Sequence, residues 1–237
     1  MNTHIPKSQS WQMFNQISPR YDLLNHFLSF GLDIVWRKRL SRYLVKKKKS
    51  HLLDLATGTG DVILTLVQLN PEIESALGID MAEKMLEIGR KKIEKKGLSR
   101  KITLKHADAN QIPSSDYSAD NITMAFGIRN VEDPVCVLKE MHRVLKNNGR
   151  SLILEFSLPQ NSLVKWGHLF YLRTIVPALG WLLSGHYLAY KYLNQTIENF
   201  PYGKDFCDLM QQAGFKNVKA NELLFGVATI YQGEKVS

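Results

Sequence analysis

The sequence has few cysteines and no long apolar run, and each of these absences excludes a class of protein. Cys136 and Cys207 could form at most one disulfide, which excludes a disulfide scaffold and favours a reducing compartment. The longest uncharged stretch, between Arg173 and Lys191, has 17 residues and includes proline and glycine. A membrane-spanning helix needs roughly 20 predominantly apolar residues. The start of the sequence also lacks an apolar run behind a basic segment, so we expect neither a spanning helix nor a secretion signal.

Acidic residues are scarce relative to basic ones. Lys and Arg number 31 against 22 Asp and Glu, which gives a formal net charge of +9. A positive field favours nucleic acid, anionic lipid or an acidic substrate, and the charge alone does not choose among them. With 44% hydrophobic and 22% charged residues over 237 positions, the composition excludes wholesale disorder and suits one globular domain.

Short apolar runs alternate with helical periodicity from residue 51 onward, as they do in α/β proteins. Asp133 and Pro134 predict a helix start, and Asn148-Gly149 is expected to end that helix. A further helix is expected over 81–96. Alternation of this kind predicts a doubly wound parallel sheet. The predicted parallel strands are 52–56, 75–79, 102–107, 121–126 and 151–156.

Two strand-like runs, 218–224 and 227–231, end the pattern and flank a tight turn at Phe225-Gly226. Strands joined this closely must pair antiparallel. The whole arrangement resembles the seven-stranded, Rossmann-like sheet of class I methyltransferases, with helices on both faces and a C-terminal antiparallel hairpin. We expect one methyltransferase domain over 1–237. Its predicted segments are an N-terminal helical cap at 8–48, a cofactor-binding core at 50–157, a helical lid insertion at 158–203, and a final helix and hairpin at 204–237.

A glycine-rich turn follows the first predicted strand, at the end where doubly wound sheets bind ligands. Gly58 and Gly60 permit a sharp turn and a close backbone approach. A dinucleotide fingerprint would need a third glycine at the position of Ile63, so NAD is disfavoured. The run 54–60 resembles the D-x-G-x-G-x-G of S-adenosylmethionine enzymes, with Ala56 replacing the first glycine. The alternative is a purely structural turn.

Carboxylates follow the next two strands at positions that suit an adenosine. Asp80 comes 20 residues after Gly60, where it can accept both ribose hydroxyls. Asp108 can accept from the adenine amino group, with the Ala109 N–H facing a ring nitrogen. Either aspartate could instead cap a helix, and 80–83 also fits a capping box. S-adenosylmethionine is the expected cofactor, and no metal site is expected. The predicted cofactor-binding residues are Asp54, Gly58, Thr59, Gly60, Asp80, Met81, Asp108 and Ala109.

The end of the fourth strand faces the reacting methyl group in such a sheet. Phe126-Gly-Ile-Arg-Asn130 lacks the [D/N]-P-P-[Y/F] of amine methyltransferases and the Pro-Cys of cytosine enzymes. It resembles the F-G-x-R-N of the ubiquinone/menaquinone biosynthesis C-methyltransferases. Two longer signatures of that family are also similar, at 21–36 and 143–157. The resemblance extends from about residue 11 to the end, although Asp33 stands where the family usually has His and Ala125 where many members have Ser.

This resemblance implies S-adenosylmethionine-dependent C-methylation of a lipophilic, prenylated quinol, with demethylmenaquinol as the leading substrate and a ubiquinone-pathway benzoquinol as the alternative. Arg129 and Asn130 are the predicted catalytic residues, orienting the ring oxygens or a water and stabilising a phenolate. Arginine keeps its proton, so it is not expected to be the base. In the alternative, Arg129 pairs with Glu132 or Asp133 at the next helix. Further candidates to contact the ring or shuttle a proton are Tyr21, His186, Tyr187 and Tyr190.

The predicted lid interleaves aromatic residues with Lys165, Arg173 and Lys191. It either buries its own aromatics or covers a prenyl tail while its basic residues meet anionic lipid. We therefore expect a cytoplasmic protein in peripheral contact with the inner face of the membrane. The net charge also suggests a nucleic-acid methyltransferase, but the apolar insertion disfavours nucleic acid as a partner. Intact cofactor and fourth-strand motifs disfavour a non-enzymatic scaffold.

Overall fold

The computed structural model describes residues 6–184 and 187–236. Its strands are β1 (Ser50–Leu55), β2 (Ile73–Asp80), β3 (Ile102–His106), β4 (Ala119–Ala125), β5 (Leu145–Phe156), β6 (Lys216–Leu223) and β7 (Ala228–Glu234). They form one sheet in the order β3-β2-β1-β4-β5-β7-β6. The first five strands run parallel, and β7 pairs antiparallel with both β5 and β6. The predicted seven-stranded sheet with a C-terminal hairpin is confirmed.

Helices cover both faces of this sheet. They are α1 (Ser10–Ile17), α2 (Tyr21–Leu28), α3 (Leu32–Leu40), α4 (Asp61–Leu69), α5 (Glu83–Lys95), α6 (Pro134–Val144), α7 (Ser162–Phe170), α8 (Val176–Ser184), α9 (Tyr187–Asn199) and α10 (Lys204–Gln212). A π-helical turn, Tyr171–Ile175, joins α7 to α8. In the part of the chain that the structure describes, each helix is too short or too polar to cross a membrane.

Successive residues of the central strands belong to two different cores. Leu52 packs into the core under α3, α4 and α5, whereas Leu53 packs into the core under α6 and α10. Leu152 and Ile153 of β5 divide in the same way. Side chains alternate between the two faces of a strand, and a strand buried on both faces must be apolar at successive positions. The faces are thus filled, which leaves the strand ends for ligands.

A third core joins the N-terminal cap to the lid. Met13 and Leu24 from α1 and α2 pack with Leu172, Val176 and Ile197 from the segment 162–199. Two segments that are far apart in sequence therefore form one helical layer. The division of the chain into a single domain with four segments stays a prediction.

The start of β5 differs from the sequence-based prediction. The helix α6 ends at Val144, and Leu145 is already extended, so Asn148-Gly149 does not end the helix. Instead, Asn148 has a φ of 62° and donates its N–H to the Lys235 carbonyl at 2.7 Å. These two residues form an irregularity inside the strand, where the register with β4 shifts. The helix α5 is also shorter than predicted and begins at Glu83.

Glycine at position 149 is required by close packing. A Cβ there would lie 2.8 Å from the Lys146 carbonyl oxygen and 3.0 Å from that of Asp120. We expect Gly149→Ala to lower the free energy of unfolding by about 1–3 kcal/mol in denaturant titrations. The matched control is Gly167→Ala, since a Cβ at this helical glycine meets nothing within 4 Å. The control should be neutral or gain about 0.5–1 kcal/mol. Equal stabilities of the two variants would contradict this account of β5.

Candidate active site

A cavity lined by both polar and apolar residues, which we call the polar cavity, lies at the carboxyl ends of β1 to β4. Its wall includes Gly58 after β1, Asp80 at the end of β2 with Met81 after it, and Asp108 and Ala109 after β3. Parallel strands present their carboxyl ends at one edge of the sheet, which is why these distant positions meet. The structure thus brings together five of the eight predicted cofactor-binding residues.

Asp80 connects the second strand to the glycine loop. Its Oδ2 accepts the Gly58 N–H at 2.9 Å, and its Oδ1 accepts the Ala82 N–H at 2.7 Å. Burial raises the pKa of Asp80, whereas these backbone donors act in the opposite direction. A carboxylate offers about four acceptor positions, so both oxygens retain capacity for ligand hydroxyls. The capping-box alternative is wrong, because α5 begins at Glu83 without a side-chain cap.

Asp54 lies beneath the glycine loop and does not line the cavity. Its carboxylate is only 1% exposed and accepts the hydroxyls of Thr57 at 2.6 Å and Thr123 at 2.5 Å. Burial raises the pKa of Asp54 to about 6, although both hydroxyls lower it. The geometry makes Asp54 a support of the loop, held between neighbouring strands.

Thr59 and Gly60 also lie outside the cavity wall. The Thr59 hydroxyl donates to Asp22 Oδ1 at 2.6 Å and accepts from Lys92 Nζ at 3.0 Å. Lys92 also pairs with Asp22 at 2.6 Å and with Asp61 at 2.5 Å. This group of charges ties the glycine loop to the N-terminal cap and to α5. Gly60 has a φ of 78° and precedes α4, so its role here is conformational.

Ala56 occupies a backbone conformation that favours glycine. Its φ is 48°, which explains why the related pattern carries glycine at this position. Gly127 leaves room for the Ala56 methyl group, since a Cβ at Gly127 would lie 2.5 Å from it. The loops after β1 and β4 are therefore in direct contact.

Arg129 is buried and forms an ion pair with Glu155. Its Nη1 lies 2.5 Å from Glu155 Oε1 and donates to the Phe126 carbonyl at 2.7 Å. The guanidinium also lies over the Phe156 ring, 5.4 Å from its centroid. Burial raises the pKa of Glu155, while the Arg129 charge opposes that shift.

The alternative pairing of Arg129 with Glu132 or Asp133 is wrong. The Asp133 carboxylate caps α6 by accepting the N–H groups of Val135 at 2.9 Å and Cys136 at 3.1 Å. This cap is the one expected from the sequence.

A second, mainly apolar cavity lies between the cap and the lid. Most of its walls come from α1, α2, α3 and the segment 168–197. The residues that line both this cavity and the polar one are Phe14, Tyr21, Phe126 and Asn130. The two cavities therefore meet at a shared wall next to Arg129.

Two polar atoms beside the shared wall have no hydrogen-bond partner among the described residues. They are Nε of Arg129 and Oδ1 of Asn130, and both are buried. A buried polar atom without a partner costs free energy, so these two atoms on neighbouring residues are candidates for hydrogen bonds to a ligand. Arg129 and Asn130 thus present one N–H donor and one carbonyl acceptor.

Sequence reasoning missed several polar groups of the apolar cavity. Asp33 is buried on its wall and contacts His26 Nδ1 at 2.6 Å, Ser29 Oγ at 2.7 Å and Arg37 Nη2 at 2.9 Å. The spacing of these residues by three, four and seven positions was a signal that could have found the cluster. His168 also lines the cavity, and its Nε2 is buried without a partner among the described residues. Burial lowers the pKa of His168, which favours its neutral form.

Some of the predicted ring-contacting residues cannot be placed. Tyr21 lies on the shared wall. His186 and the side chains of Tyr187 and Tyr190 lie outside the described residues. Among the residues that are described, no cluster of His, Cys, Asp or Glu could hold a metal ion.

Comparison with known proteins identifies the family. A sequence model of the ubiE/COQ5 methyltransferase family matches residues 3–235. The chain belongs to this family. "Ubiquinone/menaquinone biosynthesis C-methyltransferase UbiE" of Geotalea daltonii is 45% identical over 228 residues, which cover 94% of this chain and 95% of the relative. "Demethylmenaquinone methyltransferase" of Bacteroides fragilis is 42% identical over 225 residues, which cover 94% and 91%.

Solved structures agree on the fold. A SAM-dependent methyltransferase from Thermotoga maritima matches with a TM-score of 0.65 at 21% identity, over 95% of this chain and 99% of that one. One from Aquifex aeolicus matches with a TM-score of 0.58 at 19% identity, over 84% and 89%. These likenesses show the fold alone. With the family match, they confirm that the chain is a methyltransferase of the class I fold.

The raised pKa of Asp54 predicts a pH dependence of stability in this ubiE/COQ5 family member. The proton that folded Asp54 holds stabilises the fold at low pH, and this contribution is lost as the pH rises from about 4 to about 6. The difference between the pKa of about 6 in the folded protein and the ordinary value of 3.8 corresponds to about 3 kcal/mol of free energy. Relative to the wild type, Asp54→Asn should therefore gain about that much stability between pH 4 and pH 7 in denaturant titrations. The control is Glu87→Gln on the exposed face of α5, whose curve should follow the wild type. If the stability of Asp54→Asn changed with pH in parallel with that of the wild type, the raised pKa of Asp54 would be contradicted.

Proposed function

We propose that this chain transfers a methyl group from S-adenosylmethionine to a ring carbon of a prenylated quinol. The observation that carries the proposal is the shared wall of Phe14, Tyr21, Phe126 and Asn130 between a polar and an apolar cavity. A polar cofactor and a lipophilic acceptor would each occupy the cavity that suits its chemistry, and their reacting atoms would meet at the wall. Demethylmenaquinol is the leading acceptor.

The polar cavity fits S-adenosylmethionine. Asp80 offers free acceptor positions for two ribose hydroxyls, and Gly58 beside it lets the ligand approach the backbone. Asp108 is exposed at the next strand end, where its carboxylate would accept from the adenine amino group. Asp54, Thr59 and Gly60 would act indirectly by holding the loop. When bound, the cofactor supplies an electrophilic methyl group on a sulfonium.

The open polar atoms beside the shared wall match a phenolic hydroxyl. Such a hydroxyl can donate to Asn130 Oδ1 and accept from the Arg129 Nε–H. The hydroxyl would pass its proton to water, and the fixed guanidinium would stabilise the resulting phenolate, whose adjacent ring carbon becomes electron-rich. After the methyl group has been transferred to that carbon, the hydrogen of the carbon would leave as a proton and the hydroxyl would be reprotonated, so that one proton is released in total. Glu155 positions that guanidinium through the buried ion pair.

The apolar cavity suits a prenylated ring better than a nucleic acid. Its aliphatic and aromatic lining excludes water from the reacting atoms, and the charged pair on its wall, Asp33 and Arg37, is internally neutralised. The names of the relatives quoted above support a quinol acceptor. Because a prenylated quinol resides in a bilayer, we place the reaction in the cytoplasm at the inner face of the membrane.

The Arg129–Glu155 pair provides a test of the mechanism. The double variant Arg129→Gln/Glu155→Gln removes both charges together, which leaves no single buried charge unpaired. Turnover should fall by roughly 10²–10³-fold, because a donor that stabilises the developing charge is lost. The affinity for S-adenosylmethionine, measured by calorimetry, should stay within about twofold of the wild type.

A second Arg–Glu pair gives the matched control. Arg150 and Glu234 pair at 2.6 Å between β5 and β7, and neither lines either cavity. Arg150→Gln/Glu234→Gln should leave turnover nearly unchanged. Wild-type turnover in the Arg129 variant, or equal losses in the two double variants, would remove Arg129 from the mechanism.

The acceptor is tested directly with a labelled methyl donor. The protein is incubated with demethylmenaquinol, the corresponding demethyl benzoquinol, and bulk RNA in separate reactions. We expect mass spectrometry to locate the label on a ring carbon of the naphthoquinol. A label on the benzoquinol alone would make the benzoquinol, rather than demethylmenaquinol, the substrate. A label on RNA alone would contradict the proposed function.

A further inference from the structure

We infer that an exposed apolar rim around the mouth of the apolar cavity docks this protein on an anionic lipid bilayer. The rim consists of Phe27, Phe30, Leu163, Trp166, Phe170 and Phe225. Phe30 is 80% exposed, Phe225 78% and Trp166 70%. Large apolar side chains that are exposed side by side mark an interaction surface. The choice of a bilayer as the partner rests on the proposed prenylated substrate.

The helix α7 contributes the longest part of the rim. None of its nine residues is buried. Leu163, Trp166 and Phe170 follow one another at three and four positions, so they share one face. The rings of Trp166 and Phe170 stack with centroids 6.2 Å apart. A helix that keeps such a face in water without a protein partner is suited to the boundary between lipid headgroups and acyl chains.

The other two parts of the rim adjoin the same cavity. Phe30 lines it, and its ring lies 6.0 Å from that of Tyr171, the residue after α7. Leu224 lines it as well and precedes Phe225 in the β6–β7 turn. Gln160, just before α7, donates to Glu222 of β6 at 3.1 Å. The three segments therefore border one opening.

The backbone holds two of these side chains outward in a rare conformation. Phe30 has a φ of 51° and Phe225 a φ of 56°. Phe30 precedes Gly31 in the turn after α2, and Phe225 follows Leu224, whose φ is 45°, in the β6–β7 turn, so both conformations belong to turns. These turns hold the two exposed rings at the surface.

Charges beside the rim favour lipid over a second copy of the chain. The helix α3 begins two residues after Phe30, and its exposed face carries Ile34 and Val35, followed one turn later by Lys38 and Arg39. Within the described part of the chain, no carboxylate lies within ion-pair distance of Lys38 or Arg39. Basic groups next to an apolar insertion zone match anionic headgroups. Two copies meeting through this face would bring like charges together.

The test measures sedimentation of the full chain with phosphatidylcholine vesicles, with and without roughly one-third phosphatidylglycerol. We expect binding to the anionic vesicles and a loss of at least tenfold in Trp166→Ser/Phe225→Asn, neither of which lines a cavity. The matched control is Leu69→Ser, an exposed apolar residue at the opposite end of the sheet, which should bind as the wild type does. Lys38→Gln/Arg39→Gln should lose the preference for anionic vesicles, whereas Lys95→Gln/Lys96→Gln at the C-terminal end of α5 should keep it.

A short-tailed quinol in buffer separates this inference from the proposed function. The Trp166/Phe225 variant should methylate it at the wild-type rate and fail only with a long-tailed quinol in vesicles. Equal vesicle binding by the wild type and the double variant would overturn the docking surface. So would a wild type that does not bind vesicles. The docking surface would also be overturned if the double substitution changed only the oligomeric state of the protein. A wild type that binds vesicles but methylates no quinol would contradict the proposed function and leave the docking surface standing.

Discussion

The buried ion pair between Arg129 and Glu155 fixes the wall on which the account depends. Moving two such charges out of water costs several kcal/mol per ion, and the cost is offset only by close geometry and further hydrogen bonds. Arg129 meets this requirement through the Phe126 carbonyl and the Phe156 ring as well as Glu155. Because these partners lie at the ends of neighbouring strands, the pair holds the loop after β4 against the end of β5. The open Nε of Arg129 is then fixed at the junction of the two cavities.

A second set of charges positions the N-terminal cap over the glycine loop. Asp22 accepts a hydrogen bond from Thr59 of the glycine loop and forms an ion pair with Lys92 of α5. Arg37 forms an ion pair with Asp61 at 2.8 Å. The same cap carries Phe14 and Tyr21, which separate the two cavities, and packs against the lid through a shared core. The site for a methyl donor and the site for its acceptor are thus built on one connected framework.

The sequence predicts those features that depend on local pattern. Short apolar runs locate the strands, parallel pairing gathers Asp80 and Asp108 at one edge, and the hairpin follows from a short turn. Local patterns do not predict contacts between positions that are distant in sequence. The Thr59 hydroxyl donates to Asp22, and Arg129 pairs with Glu155 although Asp133 is nearer in sequence. One signal for that pair was present, since Glu155 is the last residue but one of an apolar strand and a buried carboxylate there requires a partner such as a cation. The early start of β5 was hidden by Asn148-Gly149, because such a pair occurs at strand irregularities as well as at helix ends.

The most direct measurement is a crystal structure of the chain with S-adenosylhomocysteine and a short-tailed demethylmenaquinol. The ribose hydroxyls should bind the Asp80 carboxylate. A quinol hydroxyl should lie within hydrogen-bond distance of Arg129 Nε and Asn130 Oδ1, with the unmethylated ring carbon facing the sulfur across the shared wall. A quinol bound away from that wall, or an adenosine bound away from Asp80, would contradict the account.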